Sequence, residues 1–474
     1  MIPSQKTRLE IIGFFVCVVS IRRHMILISL AIFTALNNIK GKEMGFEKNI
    51  VIIGGGFAGL NAAVILSKKN VNVTLIDKRN FHLFQPLLYQ VASGGLSPAD
   101  IAFPLRAIFK NKKNVNIVHA EVIDVEFENH LVITSKQKIK YDFLILAAGA
   151  KTHYYGKNEW TKYSYGLKSI EDATSIRNLI LSSFEKAELE SDVEKKKQYM
   201  TFAIIGGGPA GVELSGAIAE LARMTLHCDF RNINTNEAKI LLIEGTNRIL
   251  PTYPDSLSQK AKSNLEQLGV SVITNSFVKR IEQSVIELNS IDVTKIIKAN
   301  IVIWTAGVRV ENLIEKISKK YNLDVDKGGR IIANRFCELT DYSNVYVIGD
   351  IANISTKDDI PLPGTAPVAM QQGKYVAKRI YQLLTNKKSL RPFRYFDKGN
   401  LAVIGRKAAV AYRNEIWMSG FPAWFIWLFV HLLYLIGFEN RILVSIQWAF
   451  NYFTTHKSAR LIANNINQSP YETK

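Results

Sequence analysis

Ile50-Val51-Ile52-Ile53-Gly54-Gly55-Gly56-Phe57-Ala58-Gly59 is the stretch that decides the fold. A short β-branched run of this kind suits a strand buried on both faces of a parallel sheet. A glycine-rich turn follows at once, then an Ala- and Leu-rich helical stretch to about Lys69, then a second strand, Val71–Ile76, ending at Asp77. The same order recurs later. Phe202-Ala203-Ile204-Ile205 leads into Gly206-Gly207-Gly208-Pro209-Ala210-Gly211, a long helix, and Ile240–Ile243 ending at Glu244. Each copy also has a distal strand closing on small residues, Phe143–Leu146 into Ala147-Ala148-Gly149 and Ile301–Trp304 into Thr305-Ala306-Gly307. Two strands, a glycine turn and a closing turn in one repeated order are an internal duplication of a dinucleotide-binding unit, which excludes a single-domain chain.

The chemistry demands these residue types. Gly54 allows the tight turn, Gly56 lets a pyrophosphate approach the backbone, and Gly59 lets the helix pack on the strand. The anion then sits at a helix N-terminus, where free N–H groups and the dipole favour negative charge. Gly206, Gly208 and Gly211 take the same parts in the second copy. Asp77 stands 23 residues after Gly54, the spacing expected of a ribose acceptor. Glu244 lies 38 residues after Gly206, so the second unit carries an insertion, read as the Asn-rich stretch Cys228–Lys239. A carboxylate at that strand end accepts ribose hydroxyls and repels a 2′-phosphate, which favours NADH over NADPH, although Arg248 stands nearby. Two nucleotide sites in one chain imply electron transfer between two cofactors, most naturally FAD and NADH.

Composition sets the frame. The chain has 474 residues, 47% hydrophobic and 21% charged, which excludes disorder or a coiled coil as the whole answer. Lys+Arg number 60 against 41 Asp+Glu, a formal net charge of +19, so an anionic partner or surface is favoured. No nucleic-acid recognition motif accompanies that charge, and a phospholipid surface explains it better. Cys17, Cys228 and Cys337 form no metal-ligand or redox pair, so no metal site is expected. A disulfide reductase would need a cysteine pair against its flavin, and no cysteine lies between Gly54 and Gly206.

The two ends differ from the middle. Residues 1–43 carry two apolar stretches split by Ile21-Arg22-Arg23-His24, each too short for a span of ~20 residues. They read as a targeting extension or as residues preceding a start at Met44. Near the other end Phe421–Phe438 is almost uninterrupted apolar, with only His431 polar, and Ile442–Phe453 is amphipathic with Trp448 and Tyr452. Both are expected to lie in a membrane interface, the alternatives being a true span or burial in a dimer.

Phe81-His82-Leu83-Phe84-Gln85-Pro86-Leu87-Leu88-Tyr89-Gln90, the segment Thr365–Gly373 and the aromatic run Trp427–Phe453 are similar to stretches of the type II, non-proton-pumping NADH:quinone oxidoreductases. The resemblance covers Met44 to about Tyr452. It implies an α/β fold of two Rossmann-type domains, the FAD domain interrupted by the NADH domain, plus C-terminal membrane-associated helices. The boundaries expected are residues 44–168 and 309–400 for FAD, 169–308 for NADH and 401–474 for membrane docking. The resemblance implies that Gly149, Gly349 and Asp350 join the FAD site, with Asp350 on the ribityl chain, and that Gly307 closes the NADH site. It places Glu213 beside the nicotinamide, where the helix N-terminus is expected to keep it charged. It places Ala366, Pro367, Met370 and Gln371 at the quinone. Pro367 stands where many members carry a Gln and has no N–H to offer, so any hydrogen bond to the quinone carbonyl must come from elsewhere, with Gln371 a candidate. The activity implied is oxidation of NADH and reduction of a membrane quinone, by a homodimer on the cytoplasmic face of a bacterial inner membrane or on a mitochondrial inner membrane. The rival readings are an NAD(P)H flavoprotein reductase with a soluble acceptor and a flavoprotein resembling apoptosis-inducing factor.

Overall fold

The computed structural model describes residues 48–290, 294–387, 391–454, 457 and 459–463. The expectations for residues 1–43 and for a start at Met44 lie outside the described residues.

Both glycine units fold as read. The first forms a parallel sheet in the order Val345–Val347, Phe143–Leu146, Asn49–Ile53, Asn72–Asp77, Val115–His119. The second repeats the plan as Tyr165–Gly166, Ile301–Trp304, Thr201–Ile205, Lys239–Ile243, Val270–Ile273. In each, the strand that enters the glycine turn is central and pairs in parallel with both the next strand and the closing strand. Ile50, Ile52, Phe202 and Ile204 are wholly buried, which is why these runs read as continuous rather than alternating. Val345–Val347 comes after the second unit yet completes the first sheet, so the second domain is inserted into the first. Tyr165–Gly166 pairs with Ile303 and Trp304, so the second sheet already begins before the expected boundary at residue 169.

Close backbone contacts set the helices. The helix Ala366–Leu384 crosses Phe57–Leu66 so tightly that a Cβ on Gly373 would lie 2.1 Å from the Ala58 carbonyl oxygen. Likewise a Cβ on Gly216, in the helix Pro209–Glu220, would lie 1.7 Å from the carbonyl oxygen of Ile404 in the strand Asn400–Gly405.

The C-terminal region departs from one expectation. Phe421–Phe438 is not a single helix: Phe421–Tyr434 spans 14 residues, about 21 Å at 1.5 Å per residue. Leu435 is extended and Gly437 has φ +88°, and a second helix runs Phe438–Thr454. Among the described residues no helix is long and apolar enough to cross a membrane. The second helix turns polar groups inward: Asn440 and Asn451 donate to the Ala99 and Gly95 carbonyls at 3.2 and 3.3 Å. Its apolar side faces out, with Ile446 62%, Phe450 55% and Phe453 80% exposed.

Gly373→Ala should destabilise the protein by about 1–3 kcal/mol through overpacking, reversing the ~1 kcal/mol gain that alanine gives in an open helix interior. Urea unfolding measures it. A variant as stable as the wild type would mean that the two helices separate without cost.

Candidate active site

One large cavity of about 1290 Å³ collects residues from three parts of the chain. The first glycine turn, Gly149, Gly349 and Asp350 line it, as do Pro209, Ala210 and Glu213 from the second unit and Val430, His431 and Tyr434 from the first C-terminal helix.

The glycine turns sit where the sequence reading puts them, and their geometry explains each glycine. Gly54 and Gly206 have φ +106° and +110°, and a Cβ on Gly54 would strike the Ala147 carbonyl oxygen at 2.2 Å. A Cβ on Gly59 or Gly211 would come within 1.9 Å of the carbonyl oxygen of Gly54 or Gly206. Gly56 and Gly208 are different, since a Cβ there would meet nothing within 4 Å. Both are helix N-caps without a side-chain cap, so their turns present bare N–H donors to open space, a cradle for an anion.

The acidic strand ends close onto these turns. Asp77 Oδ2 accepts the Gly55 N–H at 2.6 Å, and Oδ1 accepts the Arg79 N–H at 2.7 Å. Burial pushes the Asp77 carboxyl up from its usual range, and these two N–H groups partly counter it. Glu244 Oε2 accepts the Gly207 N–H at 2.6 Å, and Oε1 takes Thr246. Arg248, the residue that left cofactor choice open, pairs with Asp255 at 3.2 Å. Gly206, Gly208 and Glu244 lie beyond the lining of the large cavity, and the helix that follows them carries Glu213 to its wall.

Glu213 corrects a prediction. It sits in the second turn of its helix rather than the first, and burial raises its pKa to about 8, countered by the Val403 N–H at 3.4 Å. Its carboxyl is therefore neutral at pH 7, because desolvation outweighs the helix dipole. Gln371 corrects another: its amide nitrogen donates to the Phe396 carbonyl at 2.9 Å and its oxygen accepts the Phe396 N–H at 3.0 Å, so its polar ends are committed away from the cavity. Ala366, Pro367 and Met370 do line the cavity.

Three contributors were missed. Gln372, wholly buried, accepts the Gly349 N–H at 2.7 Å and holds the turn that carries Asp350. Lys398 donates to the Tyr434 hydroxyl at the C-terminal-helix end of the cavity. His431 donates Nδ1–H to the Trp427 carbonyl at 2.7 Å, and burial lowers its pKa to about 4. Only His431 had a sequence signal, as the polar residue in an apolar run.

Comparison with known proteins agrees with this geometry. The pyridine nucleotide-disulphide oxidoreductase family model matches residues 48–373. The type II NADH:quinone oxidoreductase Ndh of Mycobacterium tuberculosis is 37% identical over 422 residues, covering 88% of this chain and 90% of the relative. A second protein from that organism, the type II NADH:quinone oxidoreductase NdhA, is 36% identical over 426 residues, with coverage of 88% and 90%. The chain belongs to the type II NADH:quinone oxidoreductases. Its fold matches the structure of Plasmodium falciparum NDH2 in complex with NADH at a TM-score of 0.81 and 25% identity, over 88% of this chain and all of that one. The C-terminal helices and exposed apolar side chains thus belong to a type II oxidoreductase that lacks the paired cysteines of its wider family.

The residues present fit FAD: an open cradle at Gly56, a carboxylate behind it, and Asp350 facing the same cavity. Gly56→Val should leave the protein folded but largely colourless, since the side chain fills only the anion's space. The flavin absorbance per mole of purified protein measures this, and full occupancy would mean that the first site is misplaced.

Proposed function

We propose that this chain oxidises NADH and reduces a membrane quinone through bound FAD, without moving protons across the membrane. The reading is carried by the single cavity that joins the first glycine turn, the helix of the second and the C-terminal aromatic helix. FAD supplies the two-electron chemistry, accepting from NADH and passing to quinone. The protein supplies position and charge.

The Gly54–Gly59 turn holds the FAD pyrophosphate, Asp77 accepts from its ribose, and Asp350 accepts from the ribityl chain. Gly149 and Gly349, at φ +77° and +76°, keep side chains off its path. The Gly206–Gly211 turn does the same for NADH, with Glu244 toward the ribose and Gly307, at φ +121°, beneath the nicotinamide end. Glu213 stands between the two cofactors as a neutral carboxylic acid, able to donate a proton where an anion could only accept.

Quinone enters from the opposite side. Ala366, Pro367 and Met370 form one wall, and Lys398 with Tyr434 offers the donors that Pro367 and Gln371 do not. The apolar faces of Phe421–Tyr434 and Phe438–Thr454 dock in the interface, so that a hydrophobic acceptor arrives from the acyl region while NADH arrives from water. The excess of basic residues suits an anionic leaflet. In a bacterium that surface is the cytoplasmic face of the inner membrane, where NADH is available.

Anaerobic NADH should bleach the flavin and quinone should restore it; a flavin that NADH reduces but no quinone reoxidises would defeat the reading. NADH should be strongly preferred to NADPH, and Glu244→Gln should narrow that preference by about tenfold, the worth of one charge-assisted hydrogen bond. Steady-state kinetics with both nucleotides decides it. The double variant Phe429→Glu/Phe450→Glu should stay flavin-loaded, fail to float with phosphatidylglycerol vesicles, and lose at least tenfold in long-chain quinone reduction. Its rate with a short-chain soluble quinone should persist. Unchanged flotation would remove the docking role of these helices.

A further inference from the structure

The two dinucleotide units repeat one another bond for bond around the acidic strand end. Asp77 accepts the N–H of Arg79, two residues on, and its backbone carbonyl accepts the Ala120 N–H at 3.0 Å. Glu244 accepts the N–H of Thr246, also two residues on, and its backbone carbonyl accepts the Ser276 N–H at 3.0 Å. Lys78 therefore corresponds to Gly245, and Glu121, which follows Ala120, to Phe277, which follows Ser276. The second copy is one residue longer on the way, Thr274-Asn275 standing for His119, and Asn275 takes up the extra length at φ +51°. In the first copy Lys78, Glu121 and Val122 all line the flavin cavity.

The second copy fills these two positions with a glycine and an aromatic ring in contact. A Cβ on Gly245 would lie 2.5, 2.8 and 3.0 Å from three ring carbons of Phe277, so the ring rests directly on the Gly245 backbone. Gly245 has no positive φ that would call for glycine, and the ring alone requires its missing side chain. Phe277 itself joins none of the apolar clusters among the described residues and is 65% exposed. It forgoes most of the gain that burial gives a phenylalanine. Its backbone is nevertheless pinned: Asn275 and Ser276 donate to the carbonyls of Thr246 and Glu244 at 2.8 and 3.0 Å. A fixed ring with one side on a glycine and the rest open is a ready surface for a flat apolar group.

We infer that Phe277, seated on Gly245, is the platform on which the adenine of NADH stacks. The inference rests on the reading of the preceding subsection, in which the second unit takes NADH. A dinucleotide lays its pyrophosphate on the turn after the central strand and its adenosine ribose on the acid that ends the next strand. The base, one step further from the pyrophosphate, falls beside the end of the third strand, where Phe277 stands. Stacking on an aromatic face holds a base through its π-surface, and losing such a face to alanine weakens binding about ten- to a hundredfold. The adenine lies at the far end of NADH from the hydride, so the contact is equal in the ground and transition states. It therefore sets KM and leaves kcat alone.

The test compares Phe277→Ala and Phe277→Tyr with the wild type, each flavin-loaded and assayed with a short-chain quinone. Phe277→Ala should raise the KM for NADH at least tenfold at unchanged kcat. It should weaken inhibition by ADP-ribose, which carries the adenine and no nicotinamide, by the same factor. Reduced nicotinamide mononucleotide, which lacks the adenosine, should be oxidised with unchanged kcat/KM. Phe277→Tyr keeps the aromatic face and should restore both the KM and the inhibition. Gly245→Ala, which pushes the ring off its seat, should show the pattern of Phe277→Ala in milder form. Unchanged KM and ADP-ribose inhibition in Phe277→Ala would overturn the platform. An equal loss with the mononucleotide would overturn it too, by making the ring a support for the turn. Should the wild type fail to oxidise NADH, the proposed function falls instead, and calorimetric binding of ADP-ribose to wild type and Phe277→Ala still decides the platform.

Discussion

Everything in this molecule hangs on one interaction made twice: a carboxylate at the end of a strand accepting the N–H of the middle glycine of the preceding turn. Asp77 holds Gly55 and Glu244 holds Gly207, each at 2.6 Å. Such a charge-assisted bond is worth about 1.5–3 kcal/mol. It ties the turn to the neighbouring strand without placing any side chain over it. In the first copy His82 grips the same residue from the other side, its Nδ1–H donating to the Gly55 carbonyl at 2.9 Å while burial lowers its pKa to about 4. A turn clamped in this way leaves Gly56 or Gly208 bare and its N–H groups aimed outward. The same carboxylate keeps further lone pairs, so in the proposed function one group can serve both the turn and a ribose.

That interaction explains why so much was legible in the sequence. Strand, turn, helix and carboxylate fall within one short stretch, and most requirements are local: a positive φ at Gly54, no Cβ at Gly59 against the Gly54 carbonyl, an acid at the next strand end. The duplication repeats the evidence. What stayed hidden was set by distant partners. Gln371 looked available until Phe396, 25 residues on, took both ends of its amide. Glu213 looked anionic because its helix dipole is readable, whereas the burial that raises it to about 8, against the opposing Val403 N–H, exists only once remote segments pack over it. The break after Tyr434 turned on Gly437, whose positive φ an uninterrupted apolar run does not announce. Gln372 and Lys398 gave no local signal, since their roles exist only once two remote segments meet.

The C-terminal layer inverts the usual amphipathic rule. On Phe438–Thr454 the asparagines and Trp448 turn toward the protein, where they bond Ala99, Gly95 and Gln90, and the phenylalanines turn away. A water-facing helix would be arranged the opposite way. The polar inner face anchors the helix by specific bonds to the segment Gln90–Asp100, so the apolar outer face need not contribute to folding and is free for a non-aqueous neighbour.

The two halves meet at Glu213. Hydrophobic acceptors require a dry, aromatic approach, while the chemistry consumes a solvent proton, and the two demands conflict in one cavity. A carboxyl desolvated enough to stay neutral at pH 7 resolves the conflict, because it can sit in the dry cavity without the cost of a buried charge and still hold a transferable proton.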